Sequence, residues 1–186
     1  MEPIHGGKVG QVAPPSGYDY RGDPILGPVL AYWCAKRGNR SMPARRDIDP
    51  AELPTLLPHL QLIDIVDGRY RYRLVGSELV YAYGSDYTRR YADEFFEGAR
   101  ATGIIEVYGI VRDARQPVFL RSRYLSSRDT SLIANRLYLP LSADGRDVNM
   151  ILGALTFEHD ATAPIAGAWG NEARLDGSHI EVLDAG

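Results

Sequence analysis

The sequence predicts an α+β fold: a five-stranded antiparallel sheet with helices on one face, preceded by an amphipathic helix. Three observations carry that prediction. Residues 61–66 and 69–75 read as two strands joined by Asp67-Gly68, a residue pair favoured in two-residue hairpin turns because both positions accept positive φ. Ile104, Ile105, Val107, Tyr108, Ile110 and Val111 form a wide apolar stripe at helical spacing, with Glu106, Arg112 and Asp113 outside it. Residues 117–126, 132–142 and 148–157 are extended runs, with Asp129 near the first bend and Asp144-Gly145 at the second, and they read as a three-strand meander.

The remaining elements follow in chain order. Asp23-Pro24 and Gly27-Pro28 offer two helix starts, because proline suits a first turn whose N–H groups lack partners. Taking the later start, residues 28–37 place Val29, Leu30, Trp33 and Cys34 on one stripe opposite Lys36 and Arg37, and Gly38 closes the helix. Asp49-Pro50 caps and starts a short turn that Pro54 and Pro58 interrupt. In the strand over 69–75, Arg69, Arg71 and Arg73 face one side and Tyr70, Tyr72 and Leu74 the other. Short helical pieces are expected over 77–83 and 91–96.

The 186 residues are 45% hydrophobic and 24% charged, with a formal net charge of −3; these are globular proportions, unlike those of a disordered or collagen-like chain. At about 150 residues per domain, the length accommodates one domain and an appendage. Residues 1–22, with Gly6, Gly7, Pro14, Pro15 and Gly17, read as a flexible leader, residues 23–158 as the domain, and residues 159–186 as a loose tail. The leader lacks the apolar core of about 7–15 residues that a signal peptide needs. The apolar stretch 29–35 falls far short of the roughly 18 residues that span a bilayer. The expected location is therefore the cytoplasm, with no membrane partner. A single cysteine, Cys34, excludes an internal disulfide and a thiolate metal cluster. The uncommon feature is residue choice, with twelve Tyr against four Phe and nineteen Arg against two Lys.

The order of strand, strand, short helices, helix and three strands over 60–157 resembles a PAS domain, a sensory and interaction fold. Tyr32-Trp33, the run from Met42 to Pro50 (MPARRDIDP), Tyr72-Arg73-Leu74-Val75-Gly76 and the run from Leu137 to Gly145 (LYLPLSADG) resemble a family of small bacterial proteins, mostly alphaproteobacterial, made of one PAS domain and little else. Two positions depart from that pattern: Tyr87-Thr88-Arg89 stands where Leu-Thr-Gly is usual, and Asn135 where Glu commonly precedes Arg136. The resemblance implies a signalling role without fixing a ligand.

It also implies a space between the sheet and the central helices, either filled by side chains or holding a small molecule. The candidate ligand-binding residues are Tyr72, Leu74, Tyr91, Phe95, Ile105, Tyr108, Leu137 and Ile151, an apolar set with a few polar tips. Haem-binding PAS domains place an axial His on or near the central helix, and residues 100–115 contain none. His5, His59, His159 and His179 lack metal-ligand spacing. A flavin photosensor of this fold needs a reactive Cys among the short helices, whereas Cys34 precedes the first strand. No cofactor is assigned.

Arg69, Arg71 and Arg73, with Arg121, Arg123 and Arg136, could form a basic face for nucleic acid, but the acidic overall balance and the packing value of Arg stems argue against it. An acidic small ligand or partner held by Arg forks is a third use of the same residues. The sequence has no nucleophile elbow, kinase motif or phosphate loop in strand-to-helix context.

The expectation is a non-enzymatic sensory or interaction module. It signals through a separate partner or as a homodimer, and its first helix lies across the outer sheet face or joins a dimer. The alternatives are a pure interaction domain with a packed core and a small isomerase-like enzyme, the latter requiring a buried Asp within reach of a Tyr.

Overall fold

A computed structural model describes residues 18–125, 131–159 and 179–184. In chain order it forms α1 (Leu26–Arg37), three single 3-10 turns at Arg45–Asp47, Pro50–Glu52 and Leu57–His59, then β1 (Leu60–Val66), β2 (Arg69–Val75), α2 (Ser77–Tyr83), α3 (Ala92–Phe95) and α4 (Gly98–Ala114). The chain continues with β3 (Val118–Leu125), β4 (Ser131–Leu141), β5 (Met150–His159) and β6 (His179–Val182). The strands form one antiparallel sheet in the order β2-β1-β5-β4-β3-β6.

The expected α+β class and the meander of β3, β4 and β5 are present, and the sheet has six strands where five were expected. The additional strand comes from the segment read as a loose tail: β6 pairs with β3 from Val118↔Val182 to Arg121↔His179, and Leu183 N–H donates to the Pro117 carbonyl at 2.8 Å. A four-residue strand is too short to show a period. The end of the expected leader is also engaged, since Tyr18 and Tyr20 stack on Phe119 with centroids 5.7 and 5.1 Å apart. Residues 1–17, the bend at Asp129 and residues 160–178 lie outside the described residues.

Helix α1 starts earlier than the second proline indicates. The Asp23 carboxylate accepts from the N–H groups of Ile25 and Leu26, both at 2.7 Å, so the first of the two candidate starts supplies the cap. Leu26, Val29, Leu30 and Trp33 are buried, whereas Cys34 is half-buried. These apolar side chains rest on the outer face of the sheet, where Trp33 Nε1 donates to the Pro140 carbonyl of β4 at 2.9 Å. Of the two placements expected for the first helix, the chain adopts the one across its own sheet.

The Asp67-Gly68 hairpin has positive φ at both turn residues, 49° and 76°. At its far end Gly76 meets backbone: a Cβ there would lie 2.2 Å from the Pro58 carbonyl oxygen. Only glycine lets β2 turn into α2 against that 3-10 segment. Opposite α1, helices α2, α3 and α4 cover the inner face. Among the described residues no helix is long and apolar enough to cross a membrane.

Replacing Trp33 by Ala should cost about 3–5 kcal/mol in urea unfolding, because a fully buried indole leaves a cavity between α1 and the sheet. Trp33→Phe, which loses chiefly the hydrogen bond to Pro140, should cost less. Equal stability of Trp33→Ala and the parent chain would show that α1 does not hold the sheet.

Candidate functional site

Paired residues of an antiparallel sheet share a face, so the register identifies which side chains meet α4. Gln61 lies beside Gly153, which lies beside Tyr138; Ile63 lies beside Tyr72 and Ile151; Arg136 lies beside Leu120 and Leu155. Tyr108 descends from α4 into this set, with its ring 5.1 Å from Tyr70 and 5.2 Å from Tyr138, the latter edge to face. The hydroxyls form a chain. Tyr87 donates to Gln61 Oε1 at 3.1 Å, Gln61 Nε2 donates to the Tyr108 hydroxyl at 3.5 Å, and the Tyr108 and Tyr72 hydroxyls are 3.1 Å apart. Tyr138 also hydrogen-bonds Tyr108.

Gly153 makes room for Gln61: a Cβ there would fall 2.8 Å from Gln61 Cγ. Burial pushes the phenols of Tyr72, Tyr87, Tyr108 and Tyr138 well above their ordinary pKa, so all four are neutral donors and acceptors at neutral pH.

The wall nearest α2 and α3 is aromatic. Phe95 stacks on Tyr87 at 4.4 Å, and Tyr83 meets Tyr87, Phe96 and Phe157 edge-on at 5.5 to 6.0 Å. The guanidinium of Arg100, on α4, lies over the rings of Phe96 and Tyr83 at 4.7 and 5.3 Å. Arg136 sits beneath, 7% exposed, donating to Ser122 Oγ and hydrogen-bonded to Tyr83.

Six of the eight residues read from the sequence lie at or near this interior. Tyr72 and Tyr108 are at its centre, Ile151 on its floor, Phe95 on its wall, and Ile105 is half-buried on α4. Tyr91 stands at the rim, its ring 3.8 Å beneath the Arg69 guanidinium, and bridges to Arg71. Leu74 and Leu137 are elsewhere. Leu137 pairs with Phe119 and Ala154 on the face under α1, opposite its neighbour Tyr138. Leu74 follows a bulge: Ile63 pairs with Tyr72 but Leu62 with Leu74, so Arg73 is the extra residue and Leu74 turns to the outer face. Sequence reasoning missed Gln61, Tyr87 and Tyr138, and it grouped Arg136 with the arginines of a basic face or acidic-ligand fork instead of with this interior. The available signal was a polar side chain inside an otherwise apolar strand.

The expected row of arginines is present, but charge-paired. Arg69 meets Asp93 and Glu94, Arg71 and Arg73 share the buried Asp64, and Arg121 meets Glu158. Arg136 belongs to the opposite, inner face. Asp64, Arg71, Tyr72, Arg73 and Arg89 line a shallow open groove, and Arg112, Asp113, Arg115, Asp147 and Val148 line another. The hydroxyls of Tyr72, Tyr87 and Tyr108 find their partners in Gln61 and in one another.

The family described as PAS domain matches residues 24–156. Among solved structures, the Rhodobacter sphaeroides LOV protein aligns at 10% identity and TM-score 0.45, covering 62% of this chain and 71% of its own. Its D109G variant aligns at 11% and 0.45, covering 62% and 72%. A fungal LOV domain photoreceptor aligns at 20% and 0.44, covering 72% and 90%. No curated protein matches.

Two outcomes follow from the tyrosine interior. Tyr108→Phe strips the hydroxyl that joins Gln61 to Tyr72 and should cost about 1–3 kcal/mol in chemical denaturation; no loss would mean the chain of hydroxyls is not formed. Because burial raises the folded-state pKa of these phenols, the unfolded chain releases protons more readily above about pH 10. Their contribution is complete below that pH and is lost as pH rises beyond it. Phenolate absorbance from these four should emerge together with unfolding by circular dichroism, and its emergence from a still-folded chain would overturn the assignment.

Proposed function

The chain belongs to the PAS-domain family, and from that premise we propose that it is a non-enzymatic sensory module in which a small molecule between α4 and the sheet alters a protein-binding surface on the outer face. One observation carries this reading: polar groups point inward beneath the central helix, where a purely structural core would be aliphatic. Such groups fix the orientation of a bound molecule, and the rings around them supply apolar contact. Strand β4 connects the two faces, since Tyr138 lines the interior and the Pro140 carbonyl holds Trp33 of α1. A partner, or a second copy of the chain, receives the signal at α1 and its margins.

A second reading, a pure interaction domain, is favoured by the close ring spacing of the interior, 4.4 to 5.2 Å among Tyr70, Tyr87, Phe95, Tyr108 and Tyr138.

Native mass spectrometry of protein purified from its own host separates the two. The sensory reading expects a mass excess that is released on denaturation, and the same spectrum gives the oligomeric state. The bare mass of the chain in every preparation would sink it in favour of the interaction domain.

A further inference from the structure

Asp64 and Arg136 are the buried acid and the buried arginine among the described residues, and they are satisfied differently. Asp64 faces two guanidinium groups, those of Arg71 and Arg73. Arg136 faces hydroxyls: Ser122 Oγ accepts from one terminal nitrogen, and Tyr83 supplies another contact. Its Nε has no hydrogen-bond partner among the described residues, and no carboxylate of theirs stands within ion-pair distance.

Arginine does not give up its proton in a protein, so this side chain cannot become neutral to escape the cost of burial. The nearby phenols of Tyr108 and Tyr138 are held neutral by burial and provide no counter-charge. A buried charge without an opposite charge is costly, and its retention in a folded interior points to a partner that arrives from outside.

We propose that the inner face of β3 and β4 around Arg136 binds an oxyanion, the carboxylate of a small aromatic or apolar acid, with Arg136 as its charge partner. This inference rests on the sensory reading above and names its ligand class. A guanidinium offers a planar fork that matches a carboxylate with two parallel hydrogen bonds. Tyr83 hydrogen-bonds Arg136 and would yield that contact to the ligand or share it. Phe96 and Phe157 lie edge-on to Tyr83 and provide walls for an apolar body. Arg100, above Tyr83, adds positive potential on the helix side. One buried guanidinium balances one negative charge, which matches a carboxylate better than a dianionic phosphate ester.

The test is thermal unfolding of the full chain and of Arg136→Met and Arg136→Lys in phosphate-free buffer. Each is measured alone, with phenylacetate, and with the neutral amide phenylacetamide. Without additive, Arg136→Met should melt higher than the parent, because an unbalanced charge is removed. Phenylacetate should raise the parent by about 2–4 °C, Arg136→Lys by less and Arg136→Met not at all, while phenylacetamide should raise none. A lower melting temperature for Arg136→Met, or an equal phenylacetate shift in parent and Met variant, overturns the proposal. If Arg136→Met does not fold, Arg136→Lys decides it: a shift equal to that of the parent overturns the role of the fork. In native spectra, a retained molecule without an acid group overturns the anion assignment and leaves the sensory reading standing, whereas the bare chain mass removes both.

Discussion

Strand β4 is the constraint on which the other elements depend. It lies between β5 and β3, and its residues from Ala134 to Leu141 are buried, so over that stretch neither face is open to water. Alternation along it sends Leu137, Leu139 and Leu141 under α1 and Arg136 and Tyr138 toward α4. A slip of one residue would place a guanidinium under the helix and leucines among the tyrosine hydroxyls, a double penalty that fixes the register. The register is secured from both sides: Trp33 bonds the Pro140 carbonyl on the outside, and Gly153, beside Tyr138, leaves space for Gln61 on the inside.

The two faces are built from different chemistry. Under α1 the contacts are mostly apolar and non-directional, apart from the Trp33 hydrogen bond to the Pro140 carbonyl, and they tolerate small shifts. Beneath α4 they are directional, because each hydroxyl of Tyr72, Tyr87 and Tyr108 depends on a neighbour. A satisfied buried network specifies one arrangement, and a partly satisfied one is worse than an apolar core. Anything entering there must replace the hydrogen bonds it disrupts, which makes the interior selective against purely apolar intruders.

The elements were largely legible because periodicity and turn chemistry are local. Asp67-Gly68 announces its hairpin, and the stripe from Ile104 to Val111 announces α4. Of the candidate site, residues whose face follows from a regular strand or helix were legible, as with Tyr72, Tyr108 and Ile151. Leu74 was not, because a single inserted residue at Arg73 reverses the face of whatever follows, and a bulge depends on the partner strand. Leu137 was misplaced for a related reason: β4 is apolar on both faces near its end, so hydrophobicity cannot say which leucines meet which helices. Gln61 and Arg136 carried a readable signal, since a polar residue in an apolar strand must have a partner. Which partner is a question of tertiary structure. The Tyr and Arg excess resolves in the same way, with tyrosines concentrated beneath α4 and arginines distributed among carboxylate pairs, aromatic faces and the one buried site at Arg136.

This division of chemistry also bears on how the two faces are mechanically linked. Tyr138 and Pro140 are two residues apart on one strand, roughly 6.6 Å along the backbone. The Trp33 hydrogen bond is 2.9 Å long, and such a bond weakens sharply beyond about 3.5 Å. A strand displacement of about 0.6 Å away from the indole would therefore be felt at α1 before it was felt by the aliphatic contacts around it, which lose little over that distance. The directional interior and the hydrogen bond by which Trp33 ties α1 to the sheet share β4, so that contact is sensitive to the strand that carries Arg136 and Tyr138. A displacement of β4 is therefore shared by both faces, and at α1 it is registered first by the Trp33 hydrogen bond.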